Sequence, residues 1–303
     1  MGNGHDVWFT DDAEAFLARA GGVLDRDPVS ATVLATAVQR MAAHGAPAGI
    51  PDWWFAVVSD RTGEPVGLAM RAAPFEPWPP YLLAMPDAAA VALAHAVLAR
   101  GYDVRGAAGL RPAADVFAAT VAGVEGGAVE VHVHQRLLEL AAPADLVEPR
   151  AVVGHLRPVR ADEAGLALEW IQQFFRDADE QAGRQTGHLL EASGFGLPDV
   201  QRKLADGVLW FWVDDADRPV HLTGANPPAF GVTRIGPVFT PAEERGRGWA
   251  AAAVAEVSRA VLTRGERAIL FTDQANPTSN ALYLALGYRP VVDTVQLAVR
   301  PGS

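Results

Sequence analysis

Apolar and polar positions along the chain form two regions that repeat one order of predicted elements. In each region, two apolar runs flank a polar turn, a pattern typical of a β-hairpin. These runs are residues 54–58 and 65–70 in the first region, and residues 210–213 and 219–224 in the second. A helical pattern follows in each and ends at a glycine, Gly101 or Gly265. The chain is therefore predicted to contain two copies of one α/β unit, each with helices packed on a mixed sheet.

A stretch rich in proline and acidic residues, 141–149, separates the two regions and is typical of a linker. It predicts a first domain over residues 1–148 and a second over residues 149–303. In the second domain, Asp162 precedes an apolar run of helical period and is placed like the residue that starts a helix.

Composition limits the function classes that are compatible with the chain. It has 303 residues, of which 50% are hydrophobic, no cysteine, and a formal charge of −11. The missing cysteines exclude disulfides, thiolate zinc sites and a cysteine nucleophile. The negative charge argues against a duplex nucleic acid or an anionic membrane as partner, and is compatible with a cationic substrate. Without a visible signal segment or membrane helix, the sequence predicts a cytoplasmic protein.

The strongest local signal is a glycine-containing connection between an apolar strand that ends near Thr240 and a helix that runs to about Leu262. The first amides of a helix have no internal partners, and the helix dipole adds positive charge there. Gly246 and Gly248 allow the backbone to approach an anion closely, while Arg247 and its neighbour Arg245 add charge at the rim. This pattern predicts a pyrophosphate site. The alternative is a tight connection with a solvated arginine rim.

Two named phosphate motifs fit this connection poorly. A Walker A loop requires a lysine where the chain has Trp249. The dinucleotide fingerprint is formally met by Gly246, Gly248 and Ala251, with Glu266 as the ribose acid. However, charged residues separate the strand from the first glycine, and too little chain follows to complete a nucleotide-binding sheet.

A third motif matches over the whole second region. Residues 238–241 and 244–250 resemble the acetyl-CoA loop of the GNAT-type N-acetyltransferase superfamily, and residues 276–290 resemble its last conserved segment. The likeness extends over about residues 156–299. One departure is Glu243, where the family more often has Gln or Arg. The resemblance implies two GNAT-like units in tandem, with a mixed, mostly antiparallel sheet flanked by helices.

The resemblance also implies a set of residues that bind acetyl-CoA, which is the substrate that donates the acetyl group. Free amides of the strand that ends at Thr240 would hold the pantetheine arm, and one of them would polarise the thioester carbonyl. Residues 245–250 would hold the pyrophosphate, with no metal required. The implied set is Val238, Phe239, Thr240, Arg245, Gly246, Arg247, Gly248, Trp249, Ala250, Asn276 and Asn280. Asn280 has the alternative of a helix-cap or turn role.

Tyr283 matches the family tyrosine whose hydroxyl lies near the coenzyme sulfur, which implies a general acid for the departing thiolate. Its alternative is a core aromatic. No general base is evident; His221 on the preceding strand is a candidate, with a structural histidine and water-mediated deprotonation as alternatives. Asp177, Asp179 and Glu180 follow the first helix of the second region, and either bind a cationic acceptor or form a solvated face.

The first region lacks both the glycine pair and the tyrosine, since alignment places Ala118 opposite Tyr283. We therefore expect it to bind no coenzyme and to supply scaffold and a wall of the acceptor cleft. Trp53, Trp54 and Trp78 are candidates for that wall, with core packing or a subunit contact as alternatives. His132 and His134 alternate on a predicted strand and give only a weak metal signal.

The function implied is transfer of an acetyl group from acetyl-CoA to a primary amine by direct attack in a ternary complex. The acceptor would be an amine-bearing small molecule or peptide, and a homodimer is compatible with the sequence. A non-catalytic CoA-binding regulatory or scaffold module is the alternative, and a dehydrogenase is a third reading.

Overall fold

The structure, a computed structural model, describes residues 4–45, 52–72, 79–181, 195–300 and 302. The chain divides into two compact units. The first comprises Met1–Arg136 together with Val292–Ser303, and the second comprises Leu137–Val291. The chain passes from the first unit to the second within one strand and returns within another, so the second unit is an insertion in the first.

The first unit is built on a mixed sheet. Its described elements are β1 (Asp6–Thr10), α1 (Ala13–Arg26), α2 (Thr32–His44), β2 (Trp54–Ser59), β3 (Pro65–Arg71), β4 (Tyr81–Leu82), α3 (Asp87–Ala99), β5 (Gly106–Leu110), α4 (Ala113–Glu125) and the first part of β6 (Ala128–Leu140). The strands lie in the order β1-β2-β3-β4-β5, and β4 pairs with β5 in parallel while the others pair antiparallel. The last strand of the chain, β12 (Arg289–Arg300), pairs antiparallel with β5.

The second unit repeats this order of elements. Its described elements are the end of β6, β7 (His155–Pro158), α5 (Ala164–Gln181), α6 (Leu197–Ala205), β8 (Leu209–Val213), β9 (Pro219–Ala225), β10 (Val232–Phe239), α7 (Trp249–Thr263), β11 (Arg267–Asp273), α8 (Pro277–Ala285) and the start of β12. The strands lie in the order β6-β11-β10-β9-β8-β7. β10 and β11 pair in parallel, as β4 and β5 do in the first unit.

Each unit has its own apolar core. In the first, Trp54 and Phe117 are buried with apolar residues of α3, α4 and β12. In the second, one core lies between the sheet and α5 and α6, around Phe211. Another contains α7 and the α8 residue Tyr283. The helices thus cover both faces of the second sheet, as the apolar patterns require.

Local sequence explains where several helices begin. Asp12 caps α1, because its side chain accepts hydrogen bonds from the amides of Glu14 and Ala15 at 2.9 and 3.1 Å. Asn276 caps α8 in the same way, accepting from the Ser279 amide at 3.0 Å. Among the described residues, no helix is long and apolar enough to span a bilayer.

Candidate active site

The central feature of the second unit is a separation between β10 and β11. These parallel strands pair only over Val232–Arg234, although β10 continues to Phe239 and β11 to Asp273. On its other side, β10 keeps its pairing with β9 as far as Phe239, with an irregularity between Ile235 and Val238. Because successive residues of a strand direct their amides to opposite edges, the part of β10 beyond Arg234 directs amides toward the gap, with the exception of Pro237, which has no N–H.

The connection after β10 is shaped as an anion site. A short 3₁₀ turn at Ala242–Glu244 is followed by Gly246 and Gly248, which have φ angles of 77° and 90°. Both conformations favour glycine. The first helical hydrogen bond of α7 joins the Ala252 amide to the Gly248 carbonyl at 3.2 Å, and Gly248 supplies no capping side chain. The amides that start α7 therefore have no intrahelical acceptor and are available to an anion.

A buried carboxylate holds this loop in place. Glu244 is 5% exposed and accepts a hydrogen bond from the Arg218 guanidinium at 2.7 Å. Arg247 pairs with it at 3.2 Å. The bond from Arg218 is the main reason that the pKa of the Glu244 carboxyl lies below its usual range. Buried Glu244 therefore anchors the loop through its ion pairs, while Gly246 and Gly248 are exposed to solvent.

The second rim arginine connects the loop to α5. Arg245 donates from Nε to the Thr240 carbonyl at 3.0 Å and forms an ion pair with Asp177 near the end of α5. Asp177 also accepts from Gln173. The cationic partner of Asp177 is thus Arg245 of the loop. The other two acidic residues predicted with it lie on the same helix, where Asp179 is buried and Glu180 is exposed.

Tyr283 lies in the core of the second unit, on α8. Its side chain is 7% exposed, and its ring contacts that of Tyr288 edge to face at a centroid distance of 6.1 Å. Among the described residues, its hydroxyl has no hydrogen-bond partner, and burial alone raises its pKa. The phenol is therefore protonated at neutral pH and able to donate a hydrogen bond. Its role as the acid stays a prediction.

The two predicted asparagines both have structural contacts at the start of α8. Asn276 caps the helix through Oδ1 and donates from Nδ2 to Gln181 at 2.6 Å. Asn280 donates to the carbonyls of Asp273 and Asn276 at 2.9 and 2.7 Å, which is the turn role considered as an alternative. Contact of either residue with a coenzyme stays a prediction.

His221 has an environment that disfavours base catalysis. It is fully buried, and its ring nitrogens lie 2.7 Å from the Thr240 hydroxyl and 2.8 Å from the Thr223 hydroxyl. Burial lowers the pKa of the imidazole to about 3. A group with so low a pKa holds a proton poorly at neutral pH, and both nitrogens already have partners.

Other predicted residues are brought to the loop by packing. Trp249 is buried against Trp212 and Val220, so only its main chain faces the anion site. Phe239 packs near Trp170 of α5 at a ring distance of 6.0 Å. The amides of the loop, and not these side chains, carry the expected coenzyme contacts.

Two weaker predictions concern the first unit. Trp54 is 2% exposed and belongs to the core, and Trp53 packs on Phe55. Trp78 lies outside the described residues. His132 and His134 lie on β6, and no group of three potential metal ligands occurs in the described part of the chain.

Sequence reasoning missed the two residues that organise the loop, Glu244 and Arg218. Glu244 is part of the quoted motif, but nothing in the sequence shows that it points inward. The Arg245–Asp177 pair was also missed, because these residues are far apart in the chain and meet only when α5 packs beside β10.

Comparisons with known proteins agree with this geometry. Residues 229–297, which contain the loop, α7, β11 and α8, match the FR47-like protein family. No curated protein matches the chain. Among solved structures, a GCN5-related N-acetyltransferase from Sphaerobacter thermophilus is 17% identical, with a TM-score of 0.58, over 100% of this chain and 98% of that chain.

Two further structures share the fold over nearly the full length. An acetyltransferase of the GNAT family from Colwellia psychrerythraea is 11% identical, with a TM-score of 0.55, over 97% of this chain and 100% of that one. A tandem GNAT protein from the clavulanic acid biosynthesis pathway is 15% identical, with a TM-score of 0.58, over 98% of this chain and 99% of that one. At these identities the likeness establishes the fold.

The chain therefore has the mixed α/β fold of the GNAT superfamily, which confirms the predicted fold class. The FR47-like match covers residues 229–297, and over nearly its full length the chain shares its fold with GNAT structures, one of them a tandem GNAT protein.

Proposed function

We propose that the second unit transfers an acetyl group from acetyl-CoA to a primary amine on a small molecule or peptide. One observation carries this proposal: a strand whose end is not paired with β11 is joined, through a loop with two glycines, to a helix whose first amides have no intrahelical acceptor. The first suits an extended amide-bearing chain, and the second suits a diphosphate. In acetyl-CoA an extended amide-bearing chain, the pantetheine arm, is joined to a diphosphate. Acetyl-CoA also supplies the activated acetyl group.

The residues of the chain then have distinct tasks. Amides near Val238 bind the pantetheine arm and orient the thioester carbonyl, whose oxygen gains negative charge as the amine attacks. Residues 246–250 bind the diphosphate. As the carbon–sulfur bond breaks, the electron pair goes to the sulfur, and Tyr283 donates a hydrogen bond to the resulting thiolate. Because the pKa of Tyr283 is raised by burial, hydrogen bonding is favoured over complete proton transfer.

The attacking amine must lose its proton before or during attack. With His221 buried and bonded at both nitrogens, we propose that water accepts this proton. Activity should then rise with pH toward the pKa of the acceptor amine itself, because only the neutral amine attacks. Two acceptors of different amine pKa should give correspondingly displaced pH–rate curves. A common curve for both would show that a side chain titrates instead.

Turnover is tested by incubating the full chain with acetyl-CoA and a panel of amines while thiol release is followed. Thiol release that depends on an amine supports the proposal. Thermal stabilisation by CoA without thiol release would favour a coenzyme-binding module, which the unsuitable environment of His221 makes a real second candidate. Stabilisation by a nicotinamide nucleotide instead would contradict both.

A further inference from the structure

We infer that His221 is a positioning residue that fixes the junction between β10 and the diphosphate loop. This inference rests on the proposed function, and it assigns His221 a task different from that of a base. Phe239 pairs with Leu222 at the last antiparallel position of β10 and β9, so the next residues in register, Thr240 and His221, would face each other.

At that position a side-chain bond takes over from strand pairing. β10 ends at Phe239, and the His221 Nδ1 lies 2.7 Å from the Thr240 Oγ1. The contact therefore extends the interaction between β9 and β10 by one residue beyond their backbone pairing. It does so at the point where the free amides of the strand give way to the loop.

The imidazole is itself fixed from its other side. Thr223 is fully buried two residues along β9, on the same face of the strand, and its hydroxyl lies 2.8 Å from His221 Nε2. A neutral imidazole has one donor and one acceptor nitrogen, and a threonine hydroxyl can serve either. Both ring nitrogens are thus satisfied in the neutral state, and the ring orientation is determined.

Thr240 passes this constraint to the loop. Its carbonyl accepts a hydrogen bond from Arg245 Nε at 3.0 Å, and Arg245 also pairs with Asp177 of α5. A continuous set of polar contacts therefore runs from buried Thr223 through His221 and Thr240 to the rim of the diphosphate site. Releasing Thr240 should loosen the loop and weaken coenzyme binding, with no direct effect on the acetyl transfer step.

The sharpest test is Thr240→Val, which removes the hydroxyl, keeps the side-chain shape and leaves His221 in place. We expect the Kd for CoA and the KM for acetyl-CoA to rise about fivefold or more. The kcat at saturating acetyl-CoA should fall by a smaller factor than the KM rises. Thr263→Val, at an exposed position at the end of α7, is the matched control and should change neither value.

His221→Gln should show the same division, because Gln retains a donor and an acceptor but cannot satisfy both hydroxyls in the same geometry. The pH profile of its kcat should match that of the unaltered chain. His155→Gln, at an exposed position of β7, is its control. A loss of kcat of about 100-fold with unchanged CoA affinity would overturn the inference and indicate chemical participation of His221.

Binding of CoA to the variants and to the unaltered chain distinguishes failure of the positioning role from failure of the proposed function. If His221→Gln does not fold, Thr240→Val still decides, and an unchanged Kd for CoA in that variant would overturn the inference. Calorimetric binding of CoA requires no turnover. If the unaltered chain does not bind CoA, the proposed function itself fails, and that result differs from every outcome above.

Discussion

The connection between the parallel strand and the next helix differs sharply between the two units. In the first, β4 pairs with β3 and β5 on both sides through Leu82, and α3 begins at Asp87. In the second, β10 leaves β11 after Arg234, and α7 begins only at Trp249. The same topological position therefore holds a closed, short turn in one unit and an open, long loop in the other.

The helix starts differ in the same sense. At the start of α3, the Pro86 carbonyl accepts from the amides of Ala89 and Ala90 at 2.8 and 3.1 Å, and Asp87 places a negative charge in the first turn. The start of α7 has no acidic residue in its first turn and two glycines before it. An acidic first turn repels an anion, so a shared fold does not imply a shared ligand site. We propose that only the second unit binds coenzyme.

The largest expected effect concerns the tyrosine that the first unit replaces with Ala118. Tyr283→Phe should lower kcat by about 10- to 100-fold, because a hydrogen bond to a charged sulfur is lost. CoA affinity should change little, as measured by calorimetry. Tyr288→Phe is the control, because it removes the 2.7 Å contact with Ser258 in the same core. This variant should lower Tm and leave kcat nearly unchanged. Equal turnover in Tyr283→Phe would remove the acid role.

The next largest effect is expected when a carboxylate is added to the loop before α7, since α3 has a carboxylate in its first turn. Gly246 has a φ of 77° and open space around an added Cβ, whereas a Cβ on Gly248 would lie 3.0 Å from Val152. Gly246→Asp should weaken CoA binding about tenfold by charge repulsion. Gly246→Asn adds the same bulk without charge and should weaken it much less. Equal affinities in the two variants would place the diphosphate elsewhere.

A smaller effect in the opposite direction is expected at the rim. Asp177→Asn removes a negative charge and releases Arg245 from its ion pair, so CoA should bind about two- to fivefold more tightly at low salt. The gain should shrink as ionic strength rises. Glu180→Gln, an exposed carboxylate on the same helix, controls for net charge alone. Weaker binding in Asp177→Asn would show that the pair organises the site.

The smallest effect is expected in the first unit. Asp87→Asn should leave the CoA stoichiometry at one per chain and its Kd unchanged. It should lower stability by about 0.3–1 kcal/mol through the lost interaction with the helix dipole, measured as a modest fall in Tm. A second CoA bound per chain, before or after the substitution, would contradict the proposed difference between the units.

Sequence patterns predicted the elements well where the pattern is local. The hairpin at residues 54–70 is β2 and β3, the one at 210–224 is β8 and β9, and the helix expected to reach about Leu262 is α7. The glycine loop was likewise found from its own residues. Short-range periodicity and turn chemistry suffice for such features.

Features that depend on contacts between distant residues were not accessible. The Glu244 side chain is buried because it pairs with Arg218, which directly precedes β9. The environment of His221 depends on Thr240, which it meets only when β9 and β10 pair in the observed register. The sequence around a single histidine on an apolar strand is the same whether that histidine acts as a base or forms buried hydrogen bonds. Packing of neighbouring elements decides between these roles.

The position of β12 has a consequence for synthesis. Val295, Leu297 and Val299 complete the first core, yet they are translated after the whole second unit. Until they leave the ribosome, one edge of β5 has no neighbour and is exposed to pairing with other nascent chains. The part of the chain that precedes the second unit is thus completed after it, and a chain stopped before residue 292 should aggregate even with its second unit intact.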